Sequence, residues 1–279
     1  MSDVIIFDAM GKIFESEGLH LEYEIIGNGS KPMFAFHGFA SNADMFHILK
    51  KSLSSRYTIY SFNLPFHGQS TVDEETQRLG IDPVQLKKYF KSFLWHIHSS
   101  YFSLLGYSIG GKVALKLVEL LPDDVQDIFL FAPDGIKISP WYHFVTKTAL
   151  GKLIYRRMMI HPSRYMNLLA VLKVVGIVSS RTANFVKSTL DTNEKREMVF
   201  KTWTCLKNLD PDIKAIQSII NNKNLFIHLF FGRHDKLIPP SIGKKFQAGL
   251  KSKNLHVVEG GHQLITEKLH SELLEIISK

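Results

Sequence analysis

Residues 101–116 read YFSLLGYSIGGKVALK, and this stretch restricts the fold more than any other. An apolar and aromatic run with strand character ends in Gly106-Tyr107-Ser108-Ile109-Gly110, and an apolar helical pattern begins at once. No residue is spare for a loop, so the strand must turn directly into a helix. A turn that tight forces Ser108 into strained dihedrals, and glycines two residues away on each side let neighbouring backbone come close. The Ser108 hydroxyl then projects past the sheet edge, beside a helix N-terminus that favours negative charge. A nucleophile whose reaction passes through an oxyanion needs that setting.

The flanking pattern alternates. Strands are expected over 19–26, 33–36, 57–62, 101–106, 125–131, 225–231 and 255–258. Helices are expected over 42–53, 82–98, 108–120, 240–250 and 262–278. Asp82-Pro83 is a clear helix start, with aspartate as N-cap and proline in the first turn. Short, almost wholly apolar strands alternating with helices predict an α/β fold: a doubly wound, mostly parallel sheet covered on both faces. The alternation fails between 136 and 208, where Trp141, Tyr142, Phe144, Met158, Met159, Met166 and Trp203 lie in helical-looking stretches. That segment is expected to be a helical cap inserted after the sixth core strand, with 1–135 and 209–279 forming the core domain.

A serine hydroxyl becomes a good nucleophile when a base takes its proton and a carboxylate orients the base. In an open parallel sheet such groups gather beyond the carboxyl ends of the strands. The strand 225–231 runs into Gly232-Arg233-His234-Asp235, and the strand 255–258 into Glu259-Gly260-Gly261-His262. The order Ser108, Asp235, His262 is the one G-x-S-x-G hydrolases use. Asp134, in Ala132-Pro133-Asp134-Gly135, is a rival acid, although Pro-Asp-Gly also reads as a turn. The Ile109 backbone amide is one expected oxyanion donor. The Phe39 amide, in the loop after the early strand Phe34-Ala35-Phe36-His37-Gly38, is the other. Gly38 and Tyr107 are expected to shape the substrate pocket, and His37 to brace the loop.

With these residues in place the chain resembles the α/β-hydrolase fold superfamily, specifically its serine hydrolases with a helical cap. The matching residues are His37-Gly38-Phe39, the turn Asn63-Leu64-Pro65-Phe66-His67-Gly68-Gln69-Ser70, Gly106 to Gly111, Gly232 to Asp235 with Pro239, and Gly261-His262. The turn departs from the family's D-x-P-G-H-G-x-S, with Asn63 for aspartate and Phe66 for glycine. The resemblance implies an acyl-enzyme mechanism on an ester-like bond of a small, largely apolar substrate. Thioester, lactone and carbon–carbon cleavage use the same machinery, and a ligand-binding, receptor-like protein with weak turnover is the reading from another class. A serine nucleophile argues against the family's epoxide hydrolases and dehalogenases, which use aspartate there.

Composition narrows the remainder. The 279 residues carry a net charge of +8 and a single cysteine, Cys205. One cysteine rules out an internal disulfide and suits a cytoplasmic, reducing compartment. No metal or cofactor motif is evident: H-E-x-x-H is absent, and His96 and His98 point to different sides of a helix. Nothing suggests nucleic-acid binding. The apolar stretch 168–178 is too short to span a bilayer. Residues 137–208 hold thirteen Lys or Arg against Asp191, Glu194 and Glu197, a local excess of +10. That excess reads first as a solvated charged face, with peripheral contact to anionic lipid as the alternative.

Overall fold

The central strands are apolar on both sides because helices cover both sides. The computed structural model describes residues 11–162 and 192–277; Met166 and the stretch 168–178 lie outside them. In chain order the strands are β1 (Lys12–Ser16), β2 (Leu19–Ile26), β3 (Lys31–Phe36), β4 (Tyr57–Phe62), β5 (Thr71–Val72), β6 (Phe102–Tyr107), β7 (Val125–Phe131), β8 (Phe226–Gly232) and β9 (Leu255–Val258). The described helices are α1 (Lys50–Leu53), α2 (Glu74–Leu79), α3 (Pro83–His96), α4 (Ile109–Leu120), α5 (Pro140–Lys147), α6 (Ala149–Ile160), α7 (Asn193–Cys205), α8 (Ile213–Lys223), α9 (Pro240–Ala248) and α10 (Leu269–Ile277).

The sheet order is β1-β2-β4-β3-β6-β7-β8-β9, with β5 paired to β2. Pairings are parallel from β4 onward and antiparallel where β2 meets β1, β4 and β5. Adjacent side chains on a strand face opposite ways, so one strand serves two cores. Phe34, Leu104 and Leu130 join one core with Phe90 and Phe93 of α3 and Leu117 of α4. Met33, Leu105 and Phe129 join the other with Leu53 of α1 and Leu273 of α10.

After β3 the chain steps to β4 on one side, then returns past β3 to β6 on the other. The loops leaving β3 and β6 therefore diverge, and a crevice opens beyond their carboxyl ends. Both loops carry residues singled out in the sequence.

Several element boundaries differ from expectation, each with a local cause. Residues 43–49 form a 3-10 helix before the single turn of α1, because the Ala43 amide is taken by Asn63 Oδ1 (2.7 Å) and the Asn42 side chain bonds Asp44 instead of capping. The last helix begins at Leu269, not His262, since the His262 carbonyl accepts the Tyr107 hydroxyl (3.1 Å). The strands β1 and β5 and the helices α2 and α8 were not anticipated. By contrast α3 starts where Asp82-Pro83 places it, with Asp82 and Gln85 forming a capping box.

Between β7 and β8 the described residues include α5, α6 and α7. Val145, Tyr155 and Val199 form a small core of their own there, against which Phe39 and Trp203 pack.

Candidate active site

Ser108 sits between β6 and α4 with φ 52° and ψ −120°, a region a residue with a Cβ occupies only under strain. Three hydrogen bonds hold it: its amide to Phe131 O (3.0 Å), and its carbonyl to the amides of Gly111 (2.9 Å) and Asp134 (2.8 Å). A Cβ on Gly110 would lie 2.0 Å from Phe36 O, and one on Gly106 2.7 Å from Gly111 Cα. Both glycines are therefore required by close backbone approach, as the motif predicts.

The loops after β8 and β9 bring the other two polar groups to this serine. His262 Nε2 lies 3.0 Å from Ser108 Oγ, and His262 Nδ1 lies 2.7 Å from Asp235 Oδ2. Asp235 is buried, and its Oδ1 accepts the amides of Leu237 (2.8 Å) and Ile238 (3.0 Å). With Nδ1–H donating to the carboxylate, Nε2 is left as acceptor toward the serine hydroxyl. Tyr107 supports this arrangement from below. Its hydroxyl donates to the His262 carbonyl, its ring lies 5.5 Å from the imidazole, and burial beside the Asp235 charge pushes its pKa up to about 12.

The loop after β3 packs directly onto the serine. A Cβ on Gly38 would meet the Tyr107 ring at 2.6 Å and Ser108 Cβ at 3.4 Å. His37 braces the loop: Nδ1–H donates to Gly38 O (2.7 Å) and Nε2 accepts the Leu64 amide (3.0 Å). Burial, with His67 nearby, pushes its pKa down to about 3 and keeps the ring neutral. The Ile109 amide opens α4, where helix geometry leaves it without an intrahelical acceptor. Ile109 follows Ser108 directly in the chain, and Phe39 follows the Gly38 that packs against Ser108.

The 63–70 turn explains its own departures. Asn63 Nδ2 donates to Glu22 Oε2 (2.7 Å) while Asn63 Oδ1 accepts the Ala43 amide. A carboxylate at 63 could not donate to Glu22. Phe66 adopts φ 67°, the left-handed conformation that favours glycine.

A cavity of about 200 Å³ opens beside Asp134, whose amide bonds the Ser108 carbonyl, and is lined by Ile138, Tyr142, Trp203, Leu237 and Lys112 among others. Ser108, His262, Gly38 and Tyr107 are not among its lining residues; Gly38 packs on Ser108, and the Tyr107 ring on the His262 imidazole. Asp134 bonds the Gly135 amide (2.7 Å) and faces the cavity. Burial pushes its carboxyl above the ordinary range, and Asp235 alone bonds the imidazole among the described carboxylates. Lys112 is 2% exposed, bonded to Tyr142 Oη (3.0 Å) and Asp210 (2.8 Å). Asp210 also takes His143 and Lys147, and against its burial the Lys112 and Lys147 charges hold its carboxyl below the ordinary range. Sequence reasoning missed this knot. A lysine inside an apolar helical run was its one signal.

Residues 31–169 match the alpha/beta hydrolase fold family. A hydrolase of Bacillus subtilis, YugF, is 25% identical over 260 residues, covering 91% of this chain and 92% of that protein. Among solved structures, a thermophilic esterase from Thermogutta terrifontis superposes with a TM-score of 0.66 at 15% identity, covering 93% and 92% of the two chains. A meta-cleavage product hydrolase from Pseudomonas fluorescens gives 0.64 at 16% identity, covering 96% and 97%. At those identities the structures share the fold alone. The chain belongs to the α/β-hydrolase fold family, and its relatives include hydrolases of esterase and lipase type.

Proposed function

We propose that this protein is a serine hydrolase that cleaves an ester-like bond of a small, largely apolar substrate through an acyl-enzyme. The observation that carries the reading is the continuous hydrogen-bonded path from Ser108 through His262 to Asp235, built on a strained turn. His262 Nε2 takes the Ser108 proton as Oγ attacks the carbonyl carbon. The amides of Phe39 and Ile109 receive the resulting oxyanion, each worth about 3 kcal/mol by analogy with other such donors. The imidazolium, held by Asp235, gives its proton to the departing alcohol. Water then loses a proton to His262, attacks the acyl-Ser108 ester and releases the acid, and the proton returns to Oγ.

The wiring favours turnover over a receptor-like role, because a binding protein has no use for an aligned proton path on a strained serine. The cavity walls of Ile138, Tyr142, Trp203 and Leu237 suit an apolar group. Helices α5 and α7, which contribute Tyr142 and Trp203, support the reading of this segment as a cap over the site.

A fluorophosphonate probe followed by intact mass tests the reading. The folded protein is expected to gain one adduct on Ser108 and to turn over p-nitrophenyl esters, and Ser108→Ala to do neither. Absence of an adduct on folded wild-type protein would overturn it.

A further inference from the structure

The cations of α6 lie on a surface that also exposes aliphatic side chains. Between 137 and 162 there are five Lys or Arg and no acid. Lys147 is drawn into the Asp210 knot. Lys152, Arg156 and Arg157 are exposed on α6. The same helix exposes Leu150 (60%), Leu153 (47%) and Ile160 (60%). At 100° per residue these six side chains fall on one arc, and the opposite arc holds the buried Gly151 and Tyr155. Exposed aliphatics and cations thus share one face.

A solvated charged face does not need three exposed aliphatics within eleven residues. A helix lying in a membrane interface does, with apolar side chains entering the acyl boundary and Lys and Arg at headgroup level. Along that edge Arg156, Met159, Ile160 and Phe200 border a groove of about 410 Å³ between α6 and α7. The acids described on α7 are Glu194 and Glu197, and Glu197 is paired with Lys201 at 2.7 Å.

We propose that the outer face of α6 docks the protein on the surface of an anionic bilayer. The aliphatics decide between this partner and a soluble acidic protein, whose polar surface would leave them unsatisfied. The face is one layer from the candidate active site. On its inner side Tyr155 stacks on Trp203 (5.8 Å between centroids), and Trp203 lines the cavity beside Asp134. Docking there would bring the cavity close to lipid-borne esters.

Co-sedimentation with vesicles tests the proposal independently of any catalytic role. Wild type is expected to bind mixed phosphatidylglycerol and phosphatidylcholine vesicles at low salt, to release at high salt, and to ignore phosphatidylcholine alone. Two triple variants separate the contributions: Lys152→Glu, Arg156→Glu, Arg157→Glu, and Leu150→Ser, Leu153→Ser, Ile160→Ser. Each is expected to lose binding about tenfold or more, with circular dichroism and Tm reporting an intact fold. Soluble polyglutamate should compete poorly with vesicles for wild type, a comparison that needs no variant. No binding of wild type to anionic vesicles overturns the proposal. Full binding by a folded serine variant, or polyglutamate competing as well as vesicles, overturns it in favour of an acidic soluble partner.

Discussion

The two ends of the sheet hold the same three residue types and wire them differently. At the carboxyl end Ser108, His262 and Asp235 form a chain in which imidazole separates hydroxyl from carboxylate. At the amino end Ser103 donates directly to Asp127 (3.4 Å), Tyr57 donates to the same oxygen (2.7 Å), and Lys31 and Arg56 approach it at 3.5 and 3.7 Å. His228 bonds another histidine, His256, at 3.0 Å. Ser103 lies within β6 with its neighbours on both sides in the strand, whereas Ser108 lies just beyond it under strain. Asp127 is a sink for donors and has no base to orient. A serine, histidine and aspartate therefore indicate chemistry only when imidazole lies between the other two and the serine stands on a strained turn beyond its strand.

Substitutions at matched positions can break that comparison. Ser108→Ala is expected to lower ester turnover by about ten-thousand-fold or more, while Ser103→Ala leaves it within about twofold; equal losses would erase the distinction. Asp235→Asn should cost about ten-thousand-fold in kcat by releasing the imidazole tautomer, with little change in Tm. Asp127→Asn should do the reverse, costing about 2 kcal/mol of stability in denaturant unfolding while activity per folded molecule holds.

Acid should weaken both ends through histidines that burial keeps neutral. The His37 pKa is pushed down to about 3 and that of His228 to about 4, against 6.5 for a free ring. Below about 6.5 the unfolded rings bind protons that the folded ones refuse, so stability falls as pH drops from 6.5 towards 3. His37 alone should remove about 2 kcal/mol at pH 5. Urea titrations from pH 7 to pH 4.5 measure this, and a flat profile would refute the neutral ring. The smallest effect belongs to Tyr107→Phe, which removes the bond to the His262 carbonyl. It is expected to cost about 1 kcal/mol in kcat/KM, and no change would make Tyr107 packing alone.

Much of the candidate site was legible because its constraints are local. The elbow needs Gly106 and Gly110 within four residues of each other, and Asp82-Pro83 caps α3 with a neighbouring glutamine. The late strands point to Asp235 and His262 because each ends just before its polar residue. The knot of Lys112, Tyr142, Asp210 and Lys147 was not legible. Its members lie on α4, on α5 and in the loop after α7, so no spacing along the chain links them. The 3-10 helix at 43–49 was missed for a similar reason, since the group that takes its first amide, Asn63, is twenty residues away.

The sequence by itself determined the alternating strands and helices, the strained turn at Ser108 and the order in which hydroxyl, carboxylate and imidazole occur. Those follow from periodicity and from steric demands within a few residues. Only the tertiary structure decided that Asp235 and not Asp134 bonds the imidazole, that the Tyr107 hydroxyl bonds the His262 carbonyl, and that the cations of α6 share a face with exposed aliphatics. Each of these depends on distances across loops and helix faces. They are set by how the elements pack on the sheet, and no local stretch of chain encodes them.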